Sequence, residues 1–226
     1  MCGKINDEDV KRFWDSRAKE YGKTSITGIT NFRNGKESSE RDEIERKALA
    51  RFLDRRKHRK ILDIGCGVGR LCMHLSMGAD SVVGVDYSKP LIDVAEKERK
   101  KASINNVRYI CASSTDFACD EKFDLIIISG LFIYINDNDV DTTIENSYIH
   151  LKKGGMLILR ESVGVDERFE VINKYSEKIG TVYNGIYRTP NNLIESFERK
   201  GFRCIHDEML FQPWPETATW FFVFEK

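Results

Sequence analysis

The chain alternates between two hydrophobic patterns. Short apolar runs typical of buried strands are separated by stretches in which apolar residues recur every three or four positions, as on one face of a helix. The runs predict strands at 60–65, 81–86, 107–111, 123–129, 155–160, 202–210 and 217–225. The helical pattern predicts helices at 9–21, 40–53, 69–76, 90–102, 138–151 and 190–200.

This order of elements predicts the fold class. Strands that alternate with helices form a parallel sheet with helices on both faces, and two last strands with no helix between them form an antiparallel edge hairpin. We expect an α/β fold with a Rossmann-like, doubly wound, seven-stranded sheet that is mostly parallel. The 226 residues suit a single domain. Helices within 9–53 would form an N-terminal lid, and 162–190 an inserted segment.

The strongest chemical signal follows the first predicted strand. Residues 63–70 read Asp-Ile-Gly-Cys-Gly-Val-Gly-Arg, so alternate glycines separate a buried strand from a helix. Glycines allow positive φ and close approach of the backbone to a ligand, while the N–H groups of a helix start attract polar ligands. The spacing is not the G-x-G-x-x-G of dinucleotide sites, and no Gly-Lys-Ser/Thr follows as in a P-loop. The stretch therefore predicts a different nucleotide-like ligand.

A second signal ends the next predicted strand. Asp86 lies seventeen residues after Gly69, close to where a doubly wound sheet places its ribose-binding acid. The alternative is an acid that only begins the following helix, for which Ser88 is the better cap and Pro90 suits the first turn. The two roles are compatible.

Together, these residues resemble motif I of the class I S-adenosylmethionine-dependent methyltransferases. Three later stretches resemble other superfamily motifs in the same order. Residues 107–117 resemble the adenine-binding strand and loop, 123–137 the fourth-strand motif, and 151–159 the L-K-P-G-G turn, with Lys153 in place of proline. The resemblance implies methyl transfer, with S-adenosylmethionine as cofactor, S-adenosylhomocysteine as its product, and no metal.

The resemblance also implies individual roles. Arg70 would pair with the cofactor's carboxylate, Asp86 would hold the ribose, and Tyr87 would lie against adenine or be a core tyrosine. Asp116 would contact the adenine amine or cap its turn. The full set of implied cofactor-binding residues is Asp63, Gly65, Cys66, Gly67, Arg70, Asp86, Tyr87, Ser114, Thr115, Asp116, Ser129 and Gly130.

Catalytic and acceptor residues are expected where strands four and five end, because open sheets bind ligands at that edge. We predict Glu161 as the general base and Tyr134 as the residue that orients the acceptor. The segment 162–190 carries no superfamily motif and is rich in aromatic residues, so it forms an acceptor pocket or a cap that buries its own rings. The predicted substrate-binding residues are Arg160, Tyr183, Tyr187 and Arg188.

The amino-acid composition indicates which classes of partner the chain can bind. Lys+Arg and Asp+Glu both number 36, so the chain has no basic footprint for nucleic acid. The six cysteines show no C-x-x-C spacing, which suits reduced thiols. The start of the chain is polar where a signal peptide is apolar, and no apolar run is long enough to cross a bilayer. We expect a cytoplasmic protein without membrane association and leave its oligomeric state open.

Two classes of acceptor remain. The first is a small molecule, such as a sugar or specialised metabolite, methylated on O or N. The second is a protein or peptide, because the FW-x-x-R-A-x-x-Y pattern at 13–21 and the W-F-F-V-F ending at 220–224 resemble the protein N-terminal methyltransferases. That family has a histidine where this chain has Tyr134. We therefore rank the small-molecule acceptor first and keep the protein N-methyltransferase as the alternative.

Overall fold

A computed structural model describes residues 4–21, 35–53, 59–177 and 181–226. Of the predicted lid, residues 22–34 lie outside the described residues. The helices are α1 (Asp7–Arg17), α2 (Gly35–Ala50), α3 (Arg70–Leu75), α4 (Lys89–Lys101), α5 (Asp137–His150) and α6 (Pro190–Arg199). The strands are β1 (Lys60–Ile64), β2 (Ser81–Asp86), β3 (Val107–Cys111), β4 (Phe123–Ser129), β5 (Leu151–Gly164), β6 (Phe169–Ser176), β7 (Thr181–Tyr187), β8 (Arg203–Trp214) and β9 (Thr217–Glu225).

Seven strands form one sheet in the order β3-β2-β1-β4-β5-β9-β8. Strands β1 to β5 are parallel, and β9 is antiparallel to both β5 and β8. The predicted doubly wound sheet with an antiparallel edge hairpin is confirmed. Its order reverses between β1 and β4, and such a switch point opens a crevice at the carboxyl ends of the strands.

The core lies on both faces of this sheet. Neighbouring residues of a strand point to opposite faces, so Leu62 and Ile126 pack in one buried cluster while Ile61 and Ile127 pack in the other. Helices cover both faces, which is why the central strands read as nearly continuous apolar runs. The sheet thereby provides a rigid floor for the crevice.

Three elements differ from the predicted ones. Strand β5 extends beyond the predicted 155–160 because it pairs with β9 from Met156 to Gly164. Most of the segment 162–190 folds as the separate hairpin β6–β7. Strand β8 continues past the predicted end at residue 210, so that Pro213 lies within it. The sheet tolerates it because β8 is an edge strand, where a missing N–H breaks no ladder.

Helix α1 is fixed to the domain by polar contacts at each end. The Asn136 side chain accepts from the Ile5 N–H at 2.9 Å and donates to its carbonyl at 3.1 Å. Beyond the helix, the Tyr21 hydroxyl donates to Glu98 at 2.5 Å. Among the described residues, no helix has both the length and the apolar content that crossing a membrane requires.

Candidate active site

A cavity of about 510 Å³ lies where β1, β2, β4 and β5 end; we call it the central cavity. It is lined by the glycine loop after β1, the acidic end of β2, the serine-rich loop after β3 and the turn after β4. Arg160 of β5, helices α1 and α2, and the hairpin β6–β7 also contribute to the lining. One space therefore joins the predicted cofactor residues to the predicted acceptor segment.

Backbone hydrogen bonds hold the glycine loop in place. The N–H groups of Gly65 and Cys66 both donate to the Val85 carbonyl, at 2.8 and 3.0 Å, so the loop is tied to β2. Gly69 has φ +73°, and a Cβ there would collide with the ring of Tyr109. The absence of side chains at the glycines lets the backbone of this loop approach a ligand closely.

Asp86 joins the glycine loop to the start of α4. Its Oδ2 accepts from the Gly67 N–H and its Oδ1 from the Ser88 N–H, both at 2.9 Å. Ser88 caps α4 by accepting from the Leu91 N–H. Burial raises the pKa of Asp86 to about 6, although the two N–H donors act against it. Each carboxylate oxygen retains a lone pair that can accept from a ribose hydroxyl.

Asp63 lines the same wall at the end of β1. It is buried, and its Oδ2 accepts from the Cys72 thiol at 3.2 Å. Burial raises the pKa of Asp63 to about 7, so part of the population is protonated near neutral pH. In this state the carboxyl has a proton to donate as well as oxygens that accept.

Helix α5 holds the loop after β3 in place through hydrogen bonds. The Asn146 side-chain amide donates to the carbonyls of Ser114 and Thr115, at 3.3 and 2.5 Å. Ser114 and Thr115 line the cavity, as does Tyr87. Asp116 does not line it and is exposed. Its N–H donates to Ser113 at 3.4 Å, which agrees with the turn role rather than the adenine contact.

Helix α2 places a buried carboxylate at the cavity wall, beside Arg70 and Ser129. Glu45 is 6% exposed, and it accepts from Arg70 at 2.7 Å and from the Ser129 hydroxyl at 2.6 Å. Burial favours the neutral form, but Arg70, Arg160 and Ser129 outweigh it and lower the pKa of Glu45 to about 2. Arg70 also pairs with Asp42. The guanidinium expected to meet the cofactor's carboxylate is thus engaged by two acids of α2.

Three tyrosines from two elements converge on the opposite wall. The hydroxyls of Tyr183 and Tyr187 lie 2.9 Å apart, and the ring of Tyr134 stands edge-on to those of Tyr183 and Trp14. Burial raises the pKa of all three phenols, so they are protonated at neutral pH. This wall offers hydroxyl donors and ring faces and no phenolate.

The position of Glu161 contradicts its predicted role as general base. Arg160 and Ser162 line the cavity, and Glu161 between them points to the other face of β5. Its two oxygens accept from the backbone N–H groups of Phe132 and Ser162, at 2.6 and 2.8 Å. Burial raises its pKa to about 7. The carboxyl holds the turn after β4 in place and does not face the acceptor.

Arg188 also lies outside the cavity lining. It donates to the carbonyls of Phe132 and Ile135, at 2.6 and 2.9 Å, and to Asp137. These contacts hold the turn after β4, which includes Tyr134, against the end of β7. The predicted contact between Arg188 and the acceptor is replaced by a role in shaping the turn.

Several lining residues were not predicted. Glu45 could have been identified from the sequence. It precedes Ala48 by three residues and Leu49 by four, which places it on the buried face of the predicted helix 40–53. Ser113, Leu131 and Ile133 lie inside the motif stretches 107–117 and 123–137 but were not singled out, and Arg41 and Trp214 reach the cavity only through the fold. The unpredicted lining residues include Arg41, Glu45, Ser113, Leu131, Ile133, Asp139, Ser162 and Trp214.

The chain matches known methyltransferases in sequence. Residues 61–155 match a family model described as a methyltransferase domain. Phosphoethanolamine N-methyltransferase 1 of Zea mays is 28% identical over 159 residues, which cover 67% of this chain and 29% of that protein. A ubiquinone biosynthesis O-methyltransferase of Pelagibacter ubique is 37% identical over 103 residues, 46% of this chain and 42% of that protein. The chain thus spans under half the length of these relatives.

Solved structures agree on the fold. The DhpI-SAM-HEP complex superposes with a TM-score of 0.72 at 17% identity, covering 100% of both chains. At this identity the likeness concerns the fold alone. The matched domain, the strand order and the glycine motif are similar to those of the class I S-adenosylmethionine-dependent methyltransferases.

Proposed function

We propose that the chain transfers a methyl group from S-adenosylmethionine to a nitrogen or oxygen atom of a small-molecule acceptor. The observation that supports this most is the continuity of the central cavity, in which the glycine loop and Asp86 share one space with Tyr134, Tyr183 and Tyr187. A cofactor on one side would face an acceptor on the other.

The cavity walls suit the proposed cofactor. The glycine loop admits a ligand against its backbone, Asp86 retains acceptor capacity for ribose hydroxyls, and the loop that includes Ser114 lines the part of the cavity where the adenine ring would lie. Tyr87 adds an aromatic face beside this loop. S-adenosylmethionine supplies an activated methyl group on a sulfonium sulfur. The chain's own residues bind the two reactants and align them.

The size and chemistry of the cavity favour a small acceptor. A volume of about 510 Å³ is within the range of single small-molecule pockets, and most of it would be taken by the cofactor. The matched relatives are named for phosphoethanolamine and for ubiquinone biosynthesis. Tyr134, Tyr183 and Tyr187 would orient such an acceptor through protonated hydroxyls.

Catalysis would rest mainly on alignment. Holding two reactants in line supplies roughly 7 to 11 kcal/mol of the barrier reduction. His74, His150 and His206 do not line the cavity, and Glu161 faces away from it. We propose that Tyr134 orients the nucleophilic atom and that the acceptor enters as a neutral amine, whose proton leaves to water after the transfer, or as an already ionised hydroxyl, so that no base from the chain is needed.

Transfer from radiolabelled S-adenosylmethionine tests this function. Phosphoethanolamine, a fractionated metabolite extract and a peptide library would be compared as acceptors. We expect label in one or more small-molecule fractions. Label confined to peptides would support the protein N-methyltransferase instead, and cofactor binding without any transfer would indicate a non-catalytic cofactor-binding protein.

A further inference from the structure

Arg160 of β5 lines the central cavity, and none of the residues that the structure describes accepts a hydrogen bond from its guanidinium. Its ion pair with Glu45 joins atoms 3.8 Å apart, which is too long for a hydrogen bond. We propose that Arg160 binds a carboxylate of the acceptor and that this carboxylate receives the methyl group, so that the product is a methyl ester. The inference rests on the proposed function, which it narrows to one class of acceptor.

The Nη groups of Arg160 are the donors that a ligand can reach. The Nε is fully buried, whereas the side chain as a whole is 15% exposed. A Cβ added to Gly130 would be 3.3 Å from the Nη1, and Gly130 itself lines the cavity. The bare backbone at this glycine therefore leaves the Nη1 side of the guanidinium uncovered.

Arg160 belongs to the acceptor side of the cavity. It shares a face of β5 with Ser162, which also lines the cavity. Burial raises the pKa of Tyr134, and the charge of Arg160 acts against that rise, so the guanidinium and the phenol are within electrostatic range of each other. The Tyr134 ring stands edge-on to Tyr183, with 6.2 Å between the ring centroids. An acceptor bound by Arg160 would therefore lie against the wall formed by the tyrosines.

The charges around Arg160 favour a singly charged ligand. Burial opposes ionisation of Glu45, but the neighbouring guanidinium groups lower its pKa to about 2, so it is charged at neutral pH. A phosphate dianion beside Glu45 would meet more repulsion than a carboxylate, which carries one negative charge. The two oxygens of a carboxylate also match the paired donors of a guanidinium. The positive sulfonium of the cofactor would attract the same anion.

The acceptor side of the cavity presents a cation rather than a base. The charged groups that act most on the Tyr134 phenol are Glu161 and Arg160. Glu161 faces the other side of β5, where both its oxygens accept from backbone N–H groups. Glu45, beside Arg160, has too low a pKa to take a proton from an amine or an alcohol. A carboxylic acid suits this arrangement, because it is already ionised at neutral pH before it binds.

The transfer to a carboxylate balances without a proton. One carboxylate oxygen forms a bond to the methyl carbon as the carbon–sulfur bond breaks, and the electron pair of that bond stays on the sulfur. The sulfonium becomes the neutral thioether of S-adenosylhomocysteine, and the carboxylate becomes a neutral ester. The second carboxylate oxygen accepts from Arg160 and holds the group in line. Of the acceptors considered above, this is an already ionised hydroxyl, that of a carboxylic acid.

The stability of the product in alkali tests which group is methylated, with the unmodified chain as the enzyme. Label would be transferred from S-adenosylmethionine to a fractionated metabolite extract, and the labelled small-molecule fractions would be treated with mild alkali. Methyl esters of carboxylic acids hydrolyse and release labelled methanol, whereas N-methyl amines, methyl ethers and methyl phosphates keep the label. We expect most of the label to be released as methanol.

The other outcomes of this experiment separate the inference from the proposed function. Label that stays in small molecules after the alkali treatment would overturn the inference and leave the proposed function standing. The absence of label from every fraction would overturn the proposed function and the inference with it.

Variants of Arg160 test its role in binding the acceptor. At limiting acceptor, we expect Arg160→Gln to lower the initial rate of transfer to the active fraction at least tenfold, with affinity for S-adenosylhomocysteine changed by less than twofold. Arg160→Lys keeps the charge without the paired donors, and its rate should lie between the two. Arg203→Gln is the matched control, because Arg203 is 74% exposed on β8 and pairs with Glu225. Its rate should equal that of the unmodified chain.

Two results would contradict this role of Arg160. Weaker binding of S-adenosylhomocysteine by Arg160→Gln, in parallel with the loss of rate, would assign Arg160 to the cofactor. An unchanged rate would place the charged group of the acceptor elsewhere. Near-ultraviolet circular dichroism verifies the fold of each variant, and the alkali test of the unmodified chain depends on none of them.

Discussion

The Asp86 carboxylate accepts a hydrogen bond from the Gly67 N–H at 2.9 Å. This contact joins the acid that ends β2 to the glycine loop that follows β1, although 19 positions separate the two residues. The same carboxylate accepts from the Ser88 N–H at the start of α4. Asp86 therefore organises the glycine loop, and we propose that it also binds the ribose of the cofactor.

Loss of the Asp86 carboxylate should weaken cofactor binding. We expect Asp86→Ala to reduce the binding free energy of S-adenosylhomocysteine by about 1–3 kcal/mol, the usual cost of losing a charged hydrogen-bond partner. Calorimetry measures it, with near-ultraviolet circular dichroism to verify the fold. Asp80→Ala is the control, since Asp80 is exposed and pairs with Arg59. Unchanged affinity would reduce Asp86 to an acid that begins a helix.

Glu161 should affect stability in a pH-dependent way. Its folded pKa, about 7, is above the ordinary value of 4.5 because the group is buried. The folded state therefore binds the proton more tightly, and stability from this group is lost as pH rises from about 4.5 through 7. A glutamine at this position does not titrate. We therefore expect the difference in free energy of unfolding, Glu161→Gln minus the unmodified chain, to increase as the pH rises from about 4.5 to 7. Denaturant titrations at pH 5 and 8 measure it, and a pH-independent difference would contradict the account.

The phenols of the hairpin should act on the acceptor and not on the cofactor. We expect Tyr183→Phe and Tyr187→Phe to lower kcat/KM for the acceptor by about tenfold, the equivalent of one neutral hydrogen bond. Their affinity for S-adenosylhomocysteine should change by less than twofold. Tyr175→Phe is the matched control, on the same hairpin but 67% exposed. Full turnover in both variants would place the acceptor elsewhere.

Helix α1 should act as a lid. Val10 and Trp14 line the cavity, whereas the strands of the sheet begin only at Lys60. We expect deletion of residues 1–21 to leave a folded domain from which S-adenosylhomocysteine dissociates faster, as measured by stopped-flow fluorescence. Trp14→Ala should show the same direction, and Arg12→Ala, on the exposed side of α1, should not. A truncated chain that fails to fold would make α1 part of the core.

The site residues at the ends of the strands could be predicted because the sequence patterns that mark them are local. Apolar runs marked the central strands, and the glycines, Asp86 and Ser88 each follow a strand within a few residues. The error at Glu161 has a simple cause. Arg160 and Glu161 are neighbours in β5, and side chains alternate between the faces of a strand, so only one of the two reaches the cavity. Which of the two faces the cavity depends on the register of β5, and this register is set by the pairing with β9.

The missed residues depend on contacts between distant segments. Glu45 meets Ser129 across 84 positions of the chain, and no sequence pattern records such a contact. Arg188 looked like an acceptor contact because it follows two cavity tyrosines, yet three of its hydrogen bonds go to the turn and helix start after β4. Its role appears only when the hairpin is seen packed on that turn.

Titration of the unmodified chain with S-adenosylhomocysteine in a calorimeter, with NAD as the comparison ligand, tests the central claim most directly. The account predicts one-to-one binding of S-adenosylhomocysteine with a micromolar or lower Kd and no heat from NAD. Binding of NAD without binding of S-adenosylhomocysteine would contradict it, because the glycine loop and Asp86 would then serve a dinucleotide.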